Sequence, residues 1–156
     1  GRLLVVTTSF NDQITVFDAW TLARRYPIQI KHESFQAVKS TKLSLSNLPQ
    51  FKGNILSARN YALHAWGNGY LALEYFKDIS SSNYEKKLIE SKAYDTSRDP
   101  DYHRLILFKD GLQVSGDIPI PYGEIQMALP GNRLLIRLIN PAEEEDFMRF
   151  GIFELK

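Results

Sequence analysis

Gly69-Tyr70-Leu71-Ala72-Leu73-Glu74-Tyr75-Phe76, a long polar excursion, then His103-Arg104-Leu105-Ile106-Leu107-Phe108-Lys109-Asp110-Gly111-Leu112-Gln113-Val114: the reading of these residues decides the fold. Both apolar runs have strand length and the aromatic and aliphatic content that suits a pleated, buried surface. Asp110-Gly111 between two such runs is a hairpin signal, because the tight turns that match strand twist need positive φ. The order is therefore strand, excursion, strand, tight turn, strand.

Working outward, Arg59–Trp66 alternates, with Tyr61, Leu63 and Ala65 on one face and Ala62, His64 and Trp66 on the other. Gly67-Asn68-Gly69 joins it to the central stretch as a tight turn. Four consecutive strands result, over 61–66, 69–77, 102–109 and 112–118, stopped by Pro119 and Pro121. Upstream, the β-branched run 2–8 ends at the turn Ser9-Phe10-Asn11-Asp12. Residues 13–18 then alternate, and 24–30 carry Pro27, whose missing N–H assigns that strand to a sheet edge. Downstream, 124–129 and 133–139 flank the turn Pro130-Gly131-Asn132, and 147–155 follow an interruption with the acidic run Glu143–Asp146. Residues 31–60 read as a long connection with local structure, including a short strand over His32–Val38 and a turn at Lys52-Gly53-Asn54. Within the excursion, Tyr84–Lys92 has the composition of one or two helical turns.

Three segments repeat a pattern. Their first strands are Leu3-Leu4-Val5-Val6, Leu71-Ala72-Leu73 and Leu134-Leu135-Ile136, and their second strands end in Val16-Phe17-Asp18, Leu107-Phe108-Lys109 and Ile152-Phe153-Glu154. A repeated antiparallel meander of four strands and about 40–50 residues is the mark of a β-propeller blade. The expected fold class is all-β: one domain over 1–156, a partial β-propeller of about three blades, with a β-sandwich or open barrel as the alternative. With strands lettered A to D from the centre outwards, residues 1–30 supply B to D, 61–118 a complete blade, and 124–156 supply A to C. Three blades do not close a ring and leave two apolar faces uncovered. The chain is accordingly expected to be the C-terminal half of a larger propeller, needing a missing N-terminal half or self-association.

Composition removes several function classes. Of 156 residues, 44% are hydrophobic and 24% charged, ordinary values for a globular domain. No apolar run approaches the roughly 20 residues of a transmembrane helix. A formal charge of +1 gives no general pull on nucleic acid. There is no cysteine, hence no disulfide and no cysteine-based nucleophile or metal site. His32, His64 and His103 lack metal-ligand spacing, and Gly67-Asn68-Gly69 is a turn rather than a phosphate cradle, so no metal or cofactor is expected. No signal peptide is visible, which leaves a cytoplasmic protein or a missing N-terminal part as the two expectations, and Gly1 in place of Met suggests a cut or processed chain.

The run Ser97-Arg98-Asp99-Pro100-Asp101-Tyr102-His103-Arg104-Leu105 and the ending Glu144–Leu155 resemble the C-terminal half of six-bladed β-propeller lipoproteins of gut bacteria. Asn11–Asp18 is similar to the looser NHL- and TolB-like blade pattern. The resemblance implies export to the periplasm or cell surface with a lipid-anchored N-terminus outside this sequence, and it brings no catalytic residues.

Strand direction locates the working face. With four alternating strands per blade, the A–B and C–D turns lie at one end and the B–C and D–A connections at the other. The first set is short; the second holds the long excursions 31–60, 78–101 and 140–146, beside the short 9–13 and 119–123. Long loops on a rigid scaffold are where binding surfaces are built, so a ligand site is expected there. Its candidate residues are Arg59, Tyr61, His64 and Trp66 on and beside an inner strand, and Arg98, Asp99, Asp101 and Tyr102 at the entry to another. Each has a plainer role as well: His64 as a hydrogen-bonding group between blades, Asp99-Pro100-Asp101 as a turn, the tyrosines as packing. The expected function is a non-enzymatic binding or scaffolding module for a protein, peptide or glycan. The alternatives are a carbohydrate-active enzyme with acidic and histidine residues at the channel mouth, and a purely structural fragment.

Overall fold

The structure, a computed structural model, describes residues 2–32, 56–90, 94–139 and 147–155. They form three antiparallel sheets. The first contains β1 (Leu3–Val6), β2 (Gln13–Asp18) and β3 (Arg24–Gln29) in that spatial order. The second runs β4 (Arg59–Ala65), β5 (Tyr70–Phe76), β6 (His103–Lys109) and β7 (Leu112–Gln113), with β8 (Ile118–Pro119) also paired to β6. The third contains β9 (Gly123–Leu129), β10 (Arg133–Leu138) and β11 (Arg149–Glu154).

The three meanders match the expected strands closely, and Pro27 lies on the edge strand β3, paired with Thr15. One strand differs: 112–118 is split into β7 and β8. The Ser115 hydroxyl accepts the Leu107 N–H at 2.8 Å, so a side chain replaces the ladder carbonyl and the backbone leaves the sheet for a few residues. Pro119, expected to end the strand, stays within it on the outer edge, where its missing N–H costs nothing. The helical segment is longer and earlier than expected, α1 over Ser81–Glu90. Ser80 sets its start: its hydroxyl accepts the Asn83 N–H at 3.2 Å as an N-cap. The strand expected over His32–Val38, apart from His32 itself, and the turn at Lys52-Gly53-Asn54 lie outside the described residues.

Period-two alternation in β5 builds both interfaces of the stack. Leu71, Leu73 and Tyr75, with Ile106 and Phe108 of β6, pack on Ile14, Val16, Ile28 and Ile30 of the first sheet and its edge. Ala72, Leu105, Leu107 and Ile120 pack on Leu134 and Ile136 of the third. The middle sheet is thus covered on both sides, three layers in place of a sandwich's two. Among the described residues no element covers the outer faces. Leu4 and Val6 on the first sheet, and Met127, Phe150 and Ile152 on the third, each expose 41–61% of their surface.

The two ends of the stack differ as strand direction requires. At one end lie the tight turns. Asp110 and Gly111 have φ of 49° and 84°, and the Asn68 amide reaches Asn132 at 2.8 Å to join the turns of the second and third sheets. At the other end, the Asn60 side chain donates to Thr7, Thr8 and Asn11 at 2.7–3.2 Å, and Ile79 N–H meets the Leu56 carbonyl at 2.9 Å. His32 stacks on Tyr75 there, ring centroids 4.3 Å apart. The described flanks of 31–60 and the whole described part of 78–101 therefore share one end.

Candidate functional site

In β5 the residues facing the third sheet are Ala72, Glu74 and Phe76, so the alternation that builds the core also drives one carboxylate into it. Glu74 is 3% exposed. A charge at that depth is tolerable only when paired and hydrogen-bonded. Both neighbouring strands supply a partner. His103 of β6, opposite Phe76, meets Glu74 Oε1 through Nε2 at 2.6 Å. His64 of β4, opposite Ala72, meets Oε2 through Nε2 at 2.8 Å. Each imidazole is a diagonal cross-strand neighbour of Glu74, one on either side. Burial pushes the Glu74 carboxyl up, but the hydrogen bonds and charges of His103 and His64 outweigh it and hold the group below the ordinary glutamate value. Because the carboxylate only accepts, both Nε2 atoms donate. Among the described residues His103 Nδ1 is buried without a hydrogen-bond partner.

A pocket of about 250 Å³ opens beside this trio, walled by Tyr61, Glu74, Phe76 and His103 from the second sheet and by Glu124, Ile125 and Gln126 of β9. A register shift in β4 between Asn60 and Ala62 makes Tyr61 an extra residue, a bulge that re-aims its ring. Tyr61 then sits 5.1 Å from Phe76, centroid to centroid, and the Arg59 guanidinium lies 4.9 Å from the Phe76 ring. Glu124 on the rim is paired with Arg98 at 2.5 Å and Arg137 at 3.8 Å.

The candidates from the sequence fall into three places. Arg59, Tyr61 and His64 converge on Phe76 and Glu74, and Arg98 reaches the same pocket through Glu124. Asp99 and Asp101 form a second cluster. Lys87 of α1 lies 2.5 Å from Asp99 and 3.3 Å from Asp101, the Tyr94 hydroxyl donates to Asp99 at 2.9 Å, and Lys87 also lies 5.4 Å from the Tyr102 ring. Burial pushes the Asp99 carboxyl up, yet Lys87, the Asp101 N–H and Tyr94 hold it below its ordinary value. Burial raises the Tyr94 hydroxyl, and Asp99 raises it further. This cluster pins α1 to the turn that enters β6. Trp66 stands apart, at the tight-turn end, where its indole N–H donates to the Leu129 carbonyl at 2.9 Å.

No sequence motif singles out Glu74 or Glu124, and His103 is weighed there only as a metal ligand. A single acidic residue inside the apolar run Leu71–Phe76 was the available signal. Among the described residues no three His, Asp or Glu side chains are arranged to hold a metal ion. A larger cavity, about 500 Å³, lies at the tight-turn end between the first two sheets, lined by Leu3, Val5, Tyr26, Ala65, Trp66 and Tyr70 among others. It sits where β1 has no described strand on the side away from β2, whereas β5 has β4. Among the described residues no helix is long and apolar enough to cross a membrane. Comparisons with protein-family models, with curated proteins and with solved structures find no match.

Proposed function

We propose that the chain is a non-enzymatic binding module, a three-blade portion of a β-propeller whose ligand sits at the long-connection end, in the pocket between the second and third sheets. One observation carries this reading: the carboxylates Glu74, Glu124 and Asp99 at that end are each already spent on another group. Glu74 gives one oxygen to each of two imidazoles, Glu124 is held by two arginines, and Asp99 is held by Lys87 and Tyr94. A hydrolase acting on sugars needs one carboxyl raised enough to give up a proton at working pH. Here the buried carboxyls Glu74 and Asp99 are both held below their ordinary values. What the pocket offers is shape, an exposed tyrosine ring and hydrogen-bonding groups, the makings of recognition.

The three stacked meanders, the segregation of long connections to one end, and the apolar outer faces of the first and third sheets support the propeller part of the reading. Those faces would be covered by further sheets of the same kind, from an upstream half of the protein or from a second copy. The resemblance noted above favours the periplasm or cell surface as the place of work. Glycan and peptide arrays probed with the labelled chain test the reading. Binding is expected to fall at least tenfold in Tyr61→Ala and to be unchanged in Trp20→Ala, which alters an exposed ring at the tight-turn end. Binding that tracks Trp20 and ignores Tyr61 would refute the assignment.

A further inference from the structure

Resting on that binding reading, we infer that the pocket beside Glu74 takes one uncharged, hydroxyl-bearing ring of pyranose size. Volume sets the first limit. About 250 Å³ lies below the usual range of small-molecule sites, roughly 300–1,000 Å³, and suits a single sugar ring better than a peptide side chain with its backbone.

Charge sets the second. The pocket borders two carboxylates, yet neither seeks a counterion. Glu74 has His64 at 2.8 Å and His103 at 2.6 Å, and Glu124 has Arg98 at 2.5 Å and Arg137 at 3.8 Å. The Arg59 cation is stacked on Phe76. A cationic ligand has to compete with these partners and an anionic one meets both carboxylates, so a neutral ligand fits best.

The third limit is the polar lining. His103 is 1% exposed, its Nε2 proton is committed to Glu74, and its buried Nδ1 has no partner among the described residues. That nitrogen donates or accepts according to the ring's protonation, and leaving it unmet in a buried site is costly, so a group able to do either answers it. Gln126 adds an amide with both donor and acceptor, and Glu124 adds acceptor capacity. A hydroxyl both donates and accepts, so neighbouring hydroxyls on one ring answer this mixed set. An amine offers donors and a carboxylate acceptors only. Tyr61, 67% exposed and tilted 54° against Phe76, presents an open aromatic face against which the C–H side of a sugar ring stacks.

The test is a titration of the isotope-labelled chain, followed by imidazole and aromatic resonances. The probes are the methyl glycosides of glucose, galactose and mannose, with glucosamine, glucuronate and tetramethylammonium as charged comparators. The expected result is that at least one neutral glycoside binds with a Kd on the order of 1 mM and shifts His103 Nδ1 and the Tyr61 ring together. Tyr61→Ala should weaken it at least tenfold. Tyr61→Phe, which keeps the ring face, should restore it, and Gln126→Leu should weaken it in a fold that α1 and the core leave intact. If only charged probes shift these resonances, the neutral-ring assignment is overturned while the binding site stands. If no probe shifts them, or glycosides shift only residues at the tight-turn end, the inference fails; the arrays then decide separately whether the pocket binds anything else.

Discussion

Replacing Glu74 by glutamine tests the centre of the structure with a change of one atom. The side chain is 4% exposed, so its interactions are not screened by water, and each oxygen receives one imidazole N–H. A hydrogen bond to a charged group contributes about 1.5–3 kcal/mol, so the pair contributes roughly 3–6 kcal/mol against leaving both imidazoles unpaired. Glutamine keeps one acceptor oxygen. Its NH₂ faces the second imidazole, which must move or give up its Nε2 proton to accept, so part of the loss is recovered. A net destabilisation of about 2–4 kcal/mol follows at neutral pH, a fall in Tm of roughly 5–15 °C for a domain this size. The sign of the pH dependence is fixed as well. Glu74 is held below its ordinary value of 4.5, so its stabilisation is full above that pH and is lost as pH falls through the folded-state value. Urea unfolding of parent and Glu74→Gln, followed by Trp66 fluorescence at pH 7 and near pH 3, measures both. A variant within about 0.5 kcal/mol of the parent at pH 7, or a deficit just as large near pH 3, would refute the account of a buried, doubly paired carboxylate.

Three further outcomes are expected. Asp99→Asn removes the anion that Lys87 and Tyr94 hold, so amide exchange across Ser81–Glu90 should accelerate about tenfold or more with little change in β5; uniform exchange would show that the cluster does not anchor the helix. Gly123→Ala should cost about 2–4 kcal/mol in chemical denaturation, because the new methyl would lie 2.1 Å from the Arg137 carbonyl oxygen and part β9 from β10, whereas Gly67→Ala, with nothing within 4 Å, should be near neutral. In sedimentation the parent chain should associate through its uncovered faces, and Val6→Lys with Ile152→Lys should shift it towards monomer; a parent that stays monodisperse at high concentration would count against a further sheet on those faces.

Most of the sheet architecture was legible in the sequence because it rests on local signals. Alternation, Pro27 and the Asp110-Gly111 turn each act within a few residues. The segregation of long connections followed from counting strand reversals. The site was legible only in part. Arg59, Tyr61 and His64 were picked out as neighbours on an inner strand, but Glu74 lies 10 residues from His64 and 29 from His103, and only cross-strand register brings the three together. Strict alternation also puts Tyr61 and His64 on opposite faces. The bulge after Asn60 cancels that separation, and nothing in Arg59-Asn60-Tyr61-Ala62 announces it. The split of β7 from β8 was hidden for a similar reason, since it depends on Ser115 reaching a backbone N–H on another strand.

The placement of Glu74 also polices the assembly of the stack. A slip of β5 by one residue exchanges its two faces. Leu71, Leu73 and Tyr75 would turn towards the third sheet, and Glu74 would enter the layer of Ile14, Val16, Ile28 and Phe108, far from either imidazole. An uncompensated carboxylate in that layer would cost several kcal/mol, comparable to a large share of a domain's whole stability. A wholly apolar β5 would leave the two registers much closer in energy. The acidic residue therefore works as a proofreader: it makes the wrong pairing self-defeating during folding, whatever the finished pocket goes on to bind.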